Sequence, residues 1–157
     1  MDDIRKFLVI ADTSEESANA AYFAARRAKH SGGRVTLLTV VEPTNFEHWL
    51  GVGETMRREA TDAAEAALES LAEDVEAETG TRPEMLLREG ELLVMLRDVI
   101  EADRQIAVLI LSSSKIDDTP GPLISTMARG RGLFTGRKIP VTVVPGTLSR
   151  EEIDRLA

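Results

Sequence analysis

Asp12 is the first residue in this sequence whose type and position suggest chemistry. It follows directly on the apolar run Phe7-Leu8-Val9-Ile10-Ala11 and precedes Thr13-Ser14-Glu15-Glu16. An Asp between a strand and a helix start can simply satisfy loop amides. In a crevice at the end of a sheet the same carboxylate can accept hydrogen bonds from a ribose hydroxyl or a base. Spacing alone leaves both open. A second group is Ser112-Ser113-Ser114-Lys115, after the apolar run Ile106-Ala107-Val108-Leu109-Ile110-Leu111, with Ser125 and Thr126 further on. Hydroxyls, one ammonium and the amides of a helix N-terminus suit a phosphate group. Hydroxyls are also common in loops and caps, so this group too has a purely structural reading.

Several enzyme signatures fail on these residues. A dinucleotide-binding turn needs glycines after the first strand, and Ala11-Asp12-Thr13-Ser14 has none. Gly130, Gly132 and Gly136 follow a helical segment and precede a strand, which is the wrong context, and the Walker phosphate loop is absent. Ser112 and Lys115 have the serine-lysine spacing of penicillin-recognising enzymes but lack the partner motifs. A phospho-receiver domain would want an acid after the third strand, where Arg88 stands. His30 and His48 have no spaced carboxylate or second histidine that would suggest a metal. With no cysteine, disulfides, thiolate metal sites and cysteine nucleophiles are excluded together.

The elements that must position these groups are read from hydrophobic patterning. Five short apolar runs (7–11, 35–41, 85–88, 106–111 and 141–144) are near-continuous rather than alternating, as in strands covered on both faces. Parallel strands need helical crossovers, and four helix-length segments lie between the runs. The first is opened by the capping-box spacing of Thr13 and Glu16, carries Ala18, Ala21, Tyr22, Ala25 and Ala28 at helical intervals, and ends at Gly32-Gly33. The second, 54–79, presents Met56, Ala60, Ala63, Ala67, Leu71 and Val75 on one stripe and stops at Gly80. The third, 91–102, turns Leu93, Leu96 and Ile100 inward, and a fourth starts after Pro120-Gly121-Pro122. Ser149 and Glu152 repeat the capping-box spacing for a last turn or two. The pattern is an α/β layer sandwich with helices on both faces of a parallel sheet, one domain over 1–157. In such a sheet ligands bind outside the carboxyl ends of the strands, where the order reverses.

Composition fits a globular chain: of 157 residues, 43% are apolar and 29% charged. The formal charge of −8 argues against a nucleic-acid partner, whose footprint is basic. Nine acids against two arginines between Glu54 and Glu78 account for most of that excess, which reads as a solvated helix face. Arg129, Arg131, Arg137 and Lys138 form a basic run; cations toward a helix C-terminus ordinarily complement its dipole. No apolar run approaches a membrane span, and Met1-Asp2-Asp3-Ile4-Arg5-Lys6 is unlike a secretory leader, so the expected location is the cytoplasm. The loop 44–53 holds Phe46 and Trp49, two of six aromatics, and is expected to pack or to meet a partner.

Taken together, the pattern resembles the universal stress protein family over essentially the whole chain. The resemblance rests on Asp12 with Thr13-Ser14-Glu15-Glu16-Ser17, on Val40-Val41-Glu42-Pro43, on Glu89-Gly90, and on Pro140-Val141-Thr142-Val143-Val144-Pro145. It implies a five-stranded parallel, Rossmann-like sheet in the order 3-2-1-4-5, and a homodimer formed through the last strand. Nucleotide-binding members carry Gly, two residues, Gly, nine residues, then Gly and Ser or Thr. Here Ser112, Lys115 and Ser125-Thr126 occupy those slots, so the spacing is kept, the glycines are lost and only the final hydroxyl matches. Glycine there lets amides approach phosphate closely; Lys115 either compensates with charge or obstructs a triphosphate. By the same resemblance Asp12 would face the ribose and Val41 the base of ATP or another adenine nucleotide, bound with Mg²⁺. The expectation is a non-catalytic stress-response module. The alternative is a nucleotide-free homodimeric interaction protein that meets an unknown protein partner through the last strand and the 44–53 loop.

Overall fold

Each apolar run becomes a strand, and the three central ones are buried from both sides. The structure, a computed structural model, describes residues 4–12, 14–42, 53–113 and 136–157. In chain order it contains β1 (Lys6–Ile10), α1 (Glu15–Ser31), β2 (Arg34–Val41), α2 (Gly53–Thr79), β3 (Glu84–Glu89), α3 (Leu92–Ala102), β4 (Ile106–Ser112), β5 (Val141–Val144) and α4 (Arg150–Leu156). The strands form one sheet in the order β3-β2-β1-β4-β5, and every neighbouring pair is parallel. The expected order and parallel sense are those observed. The segment after Pro122, where a fourth crossover helix was expected, lies outside the described residues, as do Trp49 and nearly all of the 44–53 loop.

Side chains alternate across the sheet and build two cores. Phe7, Val9, Val35, Leu37, Ile110 and Val144 face α1 and α2. Leu8, Leu38, Leu109 and Leu111 face α3, which contributes Leu96, Val99 and Ile100. Neighbouring Leu8 and Val9 are both fully buried, which explains why the central runs read as continuously apolar. At the edges this pressure relaxes: β3 is half-exposed along its length and β5 has only four residues.

Helix α1 seats close to the sheet because its inner face is nearly all alanine. Ala20, Ala21, Ala24, Ala25 and Ala28 are buried together with Ser17. Gly32 ends it at φ 72, the left-handed conformation that closes a helix. The start differs from the expected capping box. The N-cap is Ser14, and its hydroxyl donates to Asp12 Oδ1 instead of capping an amide; Thr13 lies outside the described residues. In α2 the buried stripe is Ala64, Leu68, Leu71, Ala72 and Val75. The expected Met56, Ala60 and Ala67 are only half-buried and Ala63 is exposed, since alanines flank every turn there and do not define a face. The capping box at α4 forms as expected: Ser149 Oγ accepts from the Glu152 amide, and Glu152 accepts from the Ser149 amide.

Candidate functional site

Register brings three of the expected site residues to one level. Ile10 pairs with Leu38 on β2, and Val9 pairs with Ile110 on β4. Counting forward from these pairs, Asp12, Val41 and Ser112 all stand at the carboxyl ends of the three adjacent strands β2, β1 and β4. The chain leaves β1 toward β2 and β3, then returns past it to β4, so β1 and β4 flank the point where strand order reverses. In a doubly wound sheet that crevice is where ligands bind.

Asp12 is exposed and organised by its own neighbours. Its Oδ1 accepts from the Ser14 amide at 2.7 Å, from the Ser14 hydroxyl, and from the Ser17 hydroxyl at 2.7 Å. The Asp12 amide donates back to Ser17 Oγ at 2.8 Å. Ser17 is buried, which fixes the carboxylate against the first turn of α1. The structural reading of Asp12 is therefore correct for one oxygen. Among the described residues, Oδ2 takes no hydrogen bond, so half of the carboxylate's accepting capacity stays open at the crevice.

Val41, the last residue of β2, is half-buried, and its carbonyl accepts from the Gly90 amide at 3.0 Å. Ser112 ends β4, half-buried, opposite Val144 in register. Its neighbour Ser113 has a structural job: its amide donates to the Val144 carbonyl, and its hydroxyl accepts from the Gly146 amide at 3.2 Å. Lys115, Ser125 and Thr126 lie outside the described residues.

Two polar roles escape sequence reasoning because they join distant segments. Glu42 Oε1 accepts from the Leu92 amide at 3.2 Å, so a carboxylate after β2 serves the N-terminus of α3. Arg57 at the start of α2 pairs with Glu89 at the end of β3. Arg137 shows the reverse case. It is a dipole complement, but of α3, donating to the carbonyls of Ile100, Asp103 and Arg104. His30 meets the Ala157 carbonyl through Nδ1 at 2.9 Å, a structural contact; His48 lies outside the described residues.

At the opposite end of the sheet Lys6 pairs with Asp103 at 2.6 Å and with Glu84 at 3.4 Å. Burial pulls the Lys6 ammonium down, but the Asp103 hydrogen bond and the nearby Glu84 charge outweigh it and hold Lys6 above its ordinary value. Burial likewise pushes Asp103 up, yet the bonds from Lys6 and the Gln105 amide leave its carboxyl below the usual range. This cluster is remote from the crevice and structural.

Among the described residues there is no group of three or more His, Cys, Asp or Glu side chains that could hold a metal ion. Among the described residues Asp12 offers one open carboxylate oxygen at the crevice, so a Mg²⁺ would fit there only if it arrived with nucleotide phosphates supplying further oxygens. Among the same residues no helix is long and apolar enough to cross a membrane.

Known proteins bear on this arrangement mainly through fold. The universal stress protein UspA from Lactobacillus plantarum superimposes with a TM-score of 0.72 at 16% identity, covering 92% of this chain and 99% of that one. A universal stress protein family member from Burkholderia pseudomallei gives 0.68 at 13% identity, covering 92% and 98%. A universal stress protein solved in complex with cAMP gives 0.62 at 17% identity, covering 91% and 98%. No curated protein is close enough in sequence to match. The model of the universal stress protein family matches residues 3–145, from before β1 to the residue after β5. With that match over nearly the whole chain, and with the same sheet order built from its own residues, this protein belongs to the universal stress protein family.

Proposed function

We propose that this protein is a non-catalytic stress-response module of the cytoplasm that takes an adenine nucleotide at the carboxyl ends of β1 and β4. The observation that carries the reading is the register that aligns Asp12, Val41 and Ser112 at the strand-order reversal, with Asp12 Oδ2 unengaged among the described residues. A ribose hydroxyl would donate to that oxygen, and the half-buried Val41 would offer an apolar edge to the base. Ser112, Lys115, Ser125 and Thr126 would meet the phosphates, with Mg²⁺ entering on the nucleotide. The cAMP complex of a relative with the same fold supports the adenine class. Side chains in place of three glycines leave less room for a triphosphate, so ATP and cAMP must be compared.

Calorimetric titration with Mg²⁺-ATP and with cAMP tests the reading. Saturable binding is expected, weakened about tenfold or more in Asp12→Ala, as for loss of a hydrogen bond to a charged group. Asp12→Asn keeps an oxygen for the Ser14 and Ser17 bonds but loses the charge, and so separates ligand recognition from turn stability. No heat with either nucleotide at two temperatures overturns the proposal.

The second reading is a nucleotide-free homodimer. It is favoured by β5, an edge strand whose Val143 is 40% exposed. Such an edge invites pairing with a second copy.

A further inference from the structure

A separate cavity of about 210 Å³ opens on the α1 side of the sheet, away from the carboxyl-end crevice. It has a structural origin. Helices α1 and α2 lie side by side over this face, and beyond α1, toward β5, the only described helix is the seven-residue α4. That helix is held to α1 by polar ties. Arg150 stands 4.2 Å from the Tyr22 ring centroid, Tyr22 donates to Asp154, and Arg26 Nε lies 3.4 Å from Asp154. The sheet floor, Phe7, Val108 and Ile110, is thereby left under a partial roof of Phe23 and Leu156. Leu156 is 64% exposed, one of three exposed large apolar side chains among the described residues.

The polar part of the lining sets the chemistry. It consists of Arg27 and Thr142. Arg27 carries a guanidinium that makes no hydrogen bond or ion pair among the described residues. A pocket with an apolar floor, one planar cation unpaired among the described residues and one hydroxyl is complementary to a molecule with a short hydrocarbon tail and an anionic head. A second copy of this chain fits less well, because an apolar face laid over the pocket would bury the guanidinium unpaired. At about 210 Å³ and open to solvent, the pocket has the scale of a tail of roughly eight carbons that stays partly exposed.

We propose that the α1–α4 cavity is a binding site for a small amphipathic carboxylate, with Arg27 holding the carboxylate and the partly exposed Phe23, Val108 and Leu156 side chains receiving the tail. The site is independent of the crevice and of what the crevice binds.

The test is an amide NMR titration of the whole chain with sodium octanoate below its micelle-forming concentration, beside acetate and octylammonium. Expected are saturable shifts confined to Phe23, Arg27, Val108, Ile110 and Leu156 with octanoate, and none with acetate, which lacks the tail. Octylammonium, which has the tail but the wrong charge, should also give none. Arg27→Gln, at an exposed position, should weaken octanoate about tenfold without changing the spectrum of the free protein. Val108→Phe should fill the cavity and abolish the shifts, while Asp12→Asn should leave octanoate binding unchanged. The proposal is overturned if octanoate gives no saturable shift, if Arg27→Gln binds as well as the parent, or if octylammonium binds equally. It is also overturned if the same residues shift on dilution of the free protein and ignore octanoate, which would make the face an interface between copies.

Discussion

At the scale of single residues, the polar groups divide by whether their bonds are complete. Lys6, Asp103 and Glu84 satisfy one another at the amino ends of β1 and β3 and the end of α3. Lys6 is raised and Asp103 lowered, so the pair's contribution has two limits. Asp103 stabilises above its unfolded value near about 4 and loses that effect as pH falls through its lower folded value. Lys6 stabilises below its unfolded value near about 10.4 and loses that effect as pH rises through its higher folded value. Lys6→Met should cost about 1.5 kcal/mol in urea unfolding at neutral pH, and the difference from the parent should shrink in acid. Carbon NMR of the Asp103 carboxyl should show its pKa rising in that variant; an unchanged titration would mean the pair is not the cause. Asp12 is the opposite case, with one oxygen spent on the first turn of α1 and the other left open. That incompleteness, rather than residue type, marks it as the candidate ligand contact.

At the scale of elements, the turn between α1 and β2 shows how tightly a crossover is set against the sheet. Gly32 supplies the left-handed closure of α1, and Gly33 lies so close to the start of β1 that a Cβ would stand 2.7 Å from the Arg5 carbonyl oxygen. The same Cβ would stand 2.9 Å from Phe7 Cε2, and the Arg34 amide donates to Arg5 across this contact. Gly33→Ala should therefore destabilise by about 2 kcal/mol through overpacking and lower Tm by about 5 °C. A melting curve that superimposes on the parent would show that the strand start yields without cost. The acidic α2 is built differently. Its inner face is held by Leu68, Leu71 and Val75, while its acids meet arginines from elsewhere, as in Glu69 with Arg82 and Glu78 with Arg26. Part of the charge excess thus ties α2 to its neighbours, and the remainder stays solvated.

At the scale of the whole molecule, the two edges of the sheet are unequal. β3 is shielded by charged and half-buried residues along its length, whereas β5 presents only four residues, with Val143 exposed. The unpaired side of β5 is thus the natural place for a second copy. Light scattering in the micromolar range should return about twice the chain mass, and Val143→Lys should return the chain mass by setting like charges against each other across the pairing. A single-chain mass for the parent protein would remove the homodimer from the proposed function. The carboxyl-end crevice and the α1–α4 cavity lie at different places on this frame, so the two proposals can be tested independently.

The sequence alone carries strand number, parallel sense and the boundaries of the described crossover helices to within a residue or two. These follow from local periodicity: near-continuous apolar runs separated by helix-length segments are the strands of a parallel sheet, and Gly32 and Gly80, both at positive φ, end α1 and α2. Sheet order was legible through family resemblance, because nothing in the spacing of the runs dictates which neighbour β1 takes. The inner face of α2 is only partly legible: Leu71 and Val75 are buried as expected, but alanines around the helix carry too little hydrophobic contrast to orient it until Leu68 meets the sheet. The alignment of Asp12, Val41 and Ser112 needed the register of three strands, and the open oxygen of Asp12 needed the side-chain geometry of the first turn of α1. Glu42 serving α3, Arg137 serving the end of that helix, and Arg27 beside an apolar floor arise between segments far apart in the chain. Such contacts have no local signature: packing decides them, and only the tertiary structure contains it.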